Sequence, residues 1–222
     1  MTADPTAFDP AAPLDAPAVR VLGSLVEKEF TTPDSYPLSI NALTAACNQT
    51  SNREPVMQLD EGAVAQGLDE LERRSLAREV YRGDSRVRRY RHLLNDTLHL
   101  HDAERAVLCV LLLRGPQTVG EIKARTGRMF EFIDLSHVEI TLQALVTLPT
   151  PLVIQLPRQP GRKELRYTHA LSGEPHEPAA GEARDTSSGG DRLDALEQDV
   201  ASLRSELAEL RSELAAFRGE FQ

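Results

Sequence analysis

The 222-residue chain lacks any apolar run long enough to cross a bilayer. Its longest, Ala106 to Leu113, falls far short of the roughly 20 residues a spanning helix needs, so no membrane partner is expected. Residues 1–15 hold three Asp and no Lys or Arg. They lack the basic start and apolar stretch of a secretory signal, and a cytoplasmic location is expected. Cysteine is scarce: Cys47 and Cys109 sit inside apolar-periodic segments with no CxxC or Cys/His spacing. No zinc or thiol role is expected of them; they read as small buried hydrophobes in a reducing compartment. There is no G-x-S-x-G, no P-loop, no G-x-G-x-x-G and no metal-ligand cluster, so no enzyme activity, cofactor or metal is expected. The His99-Leu100-His101 pair reads as an ordinary linker.

Charge is unevenly placed. The net charge of −9 divides into −3 over residues 1–15, 0 over 16–93, +1 over 94–171 and −7 over 172–222. The neutral centre neither excludes nor supports a nucleic-acid partner, whereas dedicated DNA binders are usually basic. Apolar residues make up 41% of the chain, enough for packed cores.

The periodicity supplies an organisation. Val19, Leu22, Leu25 and Val26 recur at helical spacing, and this helix should end near Phe30, before TTPDSYP. Ser39 can cap a second helix with Ile40, Leu43, Ala46 and Cys47 as its apolar stripe. Asp60 can cap a third, with Val64, Leu68 and Leu71 inward. Two β-prone runs, Ala77–Tyr81 and Arg86–His92, then flank Gly83-Asp84 as a hairpin. The pattern repeats. Asp102 to Leu113 is a strongly apolar helix, Thr118-x-x-Glu121 is a capping box, and Ser136-x-x-Glu139 predicts another. Val138, Leu142 and Leu145 follow Val64, Leu68 and Leu71 at a constant offset of 74, and a second hairpin runs from Leu152–Leu156 to Glu164–His169.

The expected fold is therefore α+β, mainly α. It comprises a disordered leader (1–15), two tandem winged helix-turn-helix domains (16–93 and 94–171), a flexible linker (172–191) and a C-terminal coiled-coil helix (192–220). The last element rests on Leu193, Leu196, Val200, Leu203, Leu207, Leu210, Leu214 and Phe217, whose gaps alternate 3 and 4 throughout. In a parallel pair the flanking positions 192–197, 199–204, 206–211 and 213–218 each join opposite charges. A parallel homodimer is expected; near-uniform leucine leaves a trimer open.

Four segments carry a family resemblance. VEKEFTTPDSYPLSINALTAACNQTSNREPVM (Val26 to Met57), LLLRGPQTVGEI (Leu111 to Ile122), MFEF (Met129 to Phe132) and RQPGRKELRYTHALSGE (Arg158 to Glu174) closely resemble the YceH-like family of uncharacterised bacterial proteins. The resemblance spans nearly the whole chain after Ala16 and implies two winged-helix domains with a helical tail, but no activity. Family members usually carry Lys in the Cys-Asn-Gln-Lys stretch, where this chain has Thr50, so anion binding through that lysine is not implied. Asn48, Gln49, Asn52 and Arg53 match.

Two functional readings follow. The first is duplex DNA bound through Arg82, Arg86, Arg88, Arg89 and Arg91 of the first hairpin, with Arg158, Arg162 and Lys163 of the second repeating the pattern weakly. The second is a protein-interaction module, because the third helix of the first unit carries Asp60, Glu61, Asp69, Glu70 and Glu72, which suit a DNA groove poorly. The loop Asn48, Gln49, Asn52 and Arg53 reads either as a small-ligand site or as a hydrogen-bonded loop that orients the third helix.

Overall fold

The computed structural model describes residues 12–81, 87–158 and 164–173. The heptad positions Leu193 to Phe217, the hairpin residues Arg82 and Arg86, and Arg162 and Lys163 lie outside the described residues.

Helix α1 (Ala16–Thr31) starts where Asp15 accepts a hydrogen bond from Ala18 N at 2.8 Å. Its residues from Ala18 to Glu27 are all buried, because α1 lies among the helices that follow. A 3-10 turn (Pro33–Ser35) leads to α2 (Ile40–Cys47), capped by Ser39 as expected. Helix α3 (Glu61–Arg73) is capped by Asp60, whose carboxylate accepts from Ala63 N at 2.7 Å. Val64, Leu68 and Leu71 face inward. Strands β1 (Ala77–Val80) and β2 (Arg89–His92) then pair antiparallel, Ala77 opposite His92, and Leu38 bridges to Tyr90 along the other side of β2.

A short helix α4 (Leu94–Leu98) leads to α5 (Asp102–Arg114), followed by β3 (Gln117–Thr118), α6 (Val119–Thr126), α7 (Leu135–Val146), β4 (Val153–Gln155) and β5 (Arg166–His169). The second sheet has the order β3-β5-β4, all antiparallel. Thr118 and Glu121 form the expected capping box. The box expected at Ser136 is not the helix start. Asp134, two residues earlier, has the extended backbone and accepts from His137 N at 2.8 Å, while Ser136 already lies within the helix. Helix α4 and strand β3 have no counterpart in the sequence reading.

The chain is thus mixed α/β and mainly helical, with small antiparallel sheets. One apolar core runs from Leu14 to Leu171 through both halves. Its seam is the packing of α1 on α5. A Cβ at Gly23 would lie 2.8 Å from Leu113 Cδ2 and 3.1 Å from Leu112 Cβ, so the missing side chain is what lets the two helices approach. Residues Arg105 to Leu113 of α5 are all buried, which accounts for its unbroken apolar run. The ends of the body meet where Leu14 N donates to Leu171 O at 2.8 Å. Among the described residues no helix is long and apolar enough to cross a membrane.

Candidate functional site

The β1–β2 hairpin divides its arginines into two kinds. Arg89 is half-buried and donates through Nη1 to Pro37 O at 2.8 Å. Arg91 donates to Asp96 Oδ2 at 3.0 Å and to His92 O at 3.3 Å. Both guanidinium groups are held by the fold. Arg78 and Arg88 point outward; the Arg88 side chain is 70% exposed and pairs loosely with Glu79 at 3.5 Å. Tyr81, 73% exposed, shares the face of Glu79 and Arg88, while Arg78 lies on the opposite face. The charge pattern alone did not single out Tyr81, although an aromatic ring among arginines is itself a nucleic-acid signal. Of the second hairpin, Arg158 is exposed, and Arg166 is drawn to Pro116 O and to Glu121 at 3.7 Å.

The third helix of each half faces solvent with different chemistry. On α3 the exposed residues include Glu61, Gln66, Asp69, Glu72 and Arg73. On α7 they are Leu135, Ser136, Glu139, Ile140 and Gln143, with no cation. A helix entering the major groove beside phosphates needs donors there, and neither face is rich in them.

The Asn48–Arg53 loop is drawn into the interior. Arg53 Nη2 donates to Glu27 Oε2 at 2.6 Å, to Ala46 O at 2.8 Å and to Gln49 Oε1 at 3.2 Å, and its Nη1 donates to Asn52 O at 3.0 Å. The pair is sealed, with side-chain exposures of 0% for Arg53 and 5% for Glu27. Asn48 makes a two-way pair with the Leu59 backbone, both bonds 2.7 Å, which fixes the approach to α3. The second half reaches the same place: Arg114 donates to Asn52 Oδ1, Arg128 lies 3.4 Å from Glu27 Oε1, and Glu54 N donates to Leu113 O at 2.8 Å. All four motif residues therefore have internal partners. Arg20 joins them, donating to Cys47 O at 3.1 Å and Pro55 O at 2.6 Å, with burial and the nearby Arg53 charge lowering its pKa. Arg20 and Glu27 escaped the sequence reading. Their seven-residue separation on one face of an apolar helix was the available signal.

A second polar knot ties the first hairpin to α1 and α5. His92 Nε2 lies 2.9 Å from Glu29 Oε2 while its Nδ1 accepts from Leu94 N at 3.2 Å, a network that assigns the proton to Nε2. Arg105 bonds Glu29 as well and Asp102 at 2.6 Å, and its guanidinium covers the Phe30 ring at 4.8 Å. Burial pushes the Glu29 carboxyl up, but its hydrogen bonds from His92 and Arg105 and the Arg105 charge outweigh it and hold the group below its ordinary value. Burial pushes both thiols, Cys47 and Cys109, up, so neither is poised as a nucleophile. Among the described residues no group of three or more His, Cys, Asp or Glu side chains is placed to hold a metal.

Comparison with known proteins places this arrangement in a family. Residues 14–162 match the family described as "Protein of unknown function, DUF480". A UPF0502 protein of Geobacter sulfurreducens is 49% identical over 193 residues, covering 83% of this chain and 87% of its own. One from Geotalea daltonii is 55% identical over 161 residues, covering 72% and 73%. One from Shewanella amazonensis is 48% identical over 202 residues, covering 86% and 94%. With the family model matching well over half its length and relatives near 50% identity along most of it, this chain belongs to the DUF480, or UPF0502, family of bacterial proteins.

Proposed function

We propose that this chain is a non-enzymatic, cytoplasmic, DNA-associated protein made of two winged-helix units, 16–93 and 94–171, with copies paired in parallel through the leucine seam from Leu193 to Phe217. The twofold order of three helices and a hairpin supports the winged-helix reading. The observation that carries the DNA reading is the exposure of Arg88 with Tyr81 on one face of the first hairpin and of Arg78 on the other. Arg82 and Arg86 lie between them in the sequence. Since the outward face of α3 is mostly acidic, the hairpin rather than that helix is the element that meets the phosphates. An arginine grip on phosphates holds any sequence, so affinity should be modest and strongly salt-dependent.

The test is fluorescence anisotropy of random duplex DNA titrated with the full chain over a salt series. Arg78→Ala with Arg88→Ala should flatten the logarithmic salt slope by about 0.9 for each phosphate that the variant no longer neutralises. Absence of binding at low salt would overturn the reading. A protein-interaction role has its own support in the apolar, cation-free surface of α7.

A further inference from the structure

The surface of α7 and the loop before it differs in kind from the rest of the described exterior. Ile133, Leu135 and Ile140 are 83%, 51% and 69% exposed, three large apolar side chains within eight residues. Apolar side chains grouped at this density mark a contact surface, whereas scattered ones do not. The base beneath them is rigid. Phe130, Phe132 and His137 pack edge to face with ring centroids 4.8–5.8 Å apart, and Asp134 fixes the first turn of α7.

Charge indicates the occupant. From Met129 to Pro157 there is no Lys or Arg, while Glu131, Asp134 and Glu139 are exposed around the apolar side chains. Exposed apolar side chains interspersed with carboxylates repel phosphate and complement a segment that carries both apolar and cationic groups. We propose that this face docks a protein partner whose binding segment presents apolar side chains flanked by Lys and Arg. The surface lies on the opposite half of the chain from the first hairpin and stands independently of DNA binding.

The experiment places a photo-crosslinking residue on the face, Gln143→p-benzoylphenylalanine in the full chain, irradiates living bacterial cells, and sequences the crosslinked peptide. A segment with apolar residues flanked by at least two basic ones is expected. Its yield should fall at least fivefold when Ile133→Ser and Ile140→Ser are added. Both positions are exposed, so the variant should keep the parent melting temperature, measured alongside. Crosslinking only to a second copy of this chain, to an acidic or wholly polar segment, or to no protein, would overturn the proposal. A yield unchanged by the two serines would overturn it as well.

Discussion

Arg53 shows how the loop from Asn48 is drawn into the interior as a hydrogen-bonded element. Its Nε and Nη2 donate to Ala46 O and its Nη2 also to the Glu27 carboxylate, so α1 and α2 together hold the guanidinium. Removing one partner of such a pair strands the other charge in a dry site. Glu27→Ala should therefore cost about 3–5 kcal/mol in urea unfolding. Gln49→Ala, which deletes one longer bond, should cost about 1 kcal/mol. His169 supplies a pH dependence. It is half-buried by area, yet its Nδ1 is shut away without a hydrogen-bond partner among the described residues, and burial lowers its pKa to about 4. A depressed folded value means that the unfolded chain takes up the proton first as pH falls. The stabilisation is complete above the ordinary value of 6.5 and is lost on the way down to about 4. Glu29 acts with the same sign at lower pH, because its carboxyl is also held below its ordinary value. Thermal melts from pH 7 to 4 should fall steadily, and His169→Gln should reduce the loss in the upper part of that window by about 2–3 kcal/mol. None of this is visible in the sequence alone. A motif shows that Asn48, Gln49, Asn52 and Arg53 belong together but not that carbonyls from α2 will enclose them.

Helices and hairpins were far more legible, because each depends on a signal a few residues long. Ser39, Asp60 and Thr118 cap the helices they were expected to cap, and Val64, Leu68 and Leu71 face the core. Where two capping residues compete within one turn, the pattern does not decide between them, as with Asp134 and Ser136. The difference is measurable: Asp134→Ala should lower stability by about 1 kcal/mol, whereas Ser136→Ala should stay within about 0.5. Strand β3, only two residues long, is fixed by its pairing with β5 and has no local signature to read. The α1–α5 crossing was equally hidden, since a glycine inside a helix normally weakens it. At Gly23 the close approach of Leu112 and Leu113 reverses the usual benefit of alanine. Gly23→Ala should cost about 1–3 kcal/mol by forcing the helices apart, detectable as a lowered denaturation midpoint at unchanged slope.

Across the whole molecule, the repeat in the sequence divides the chain into residues 16–93 and 94–171, and the packing of α1 on α5 joins these two halves through one apolar core. The core is continuous, and the Arg114–Asn52 and Arg128–Glu27 interactions cross between the halves. A fragment of residues 12–93 would leave the apolar side of α1 uncovered, and we expect it to show no cooperative thermal transition, while the full chain unfolds in one step. Light scattering at micromolar concentration tests the pairing proposed for Leu193 to Phe217; a monomeric mass would refute it. One small hydrogen bond has a practical consequence. Because Leu14 N bonds Leu171 O, the first and last stretches of backbone in the folded body run side by side. A brief bridge of a few residues from position 173 to position 13 would close the body into a ring without stretching it. New termini could then be opened in an exposed turn elsewhere, giving a circularly permuted form on which the contribution of the flanking segments can be weighed separately.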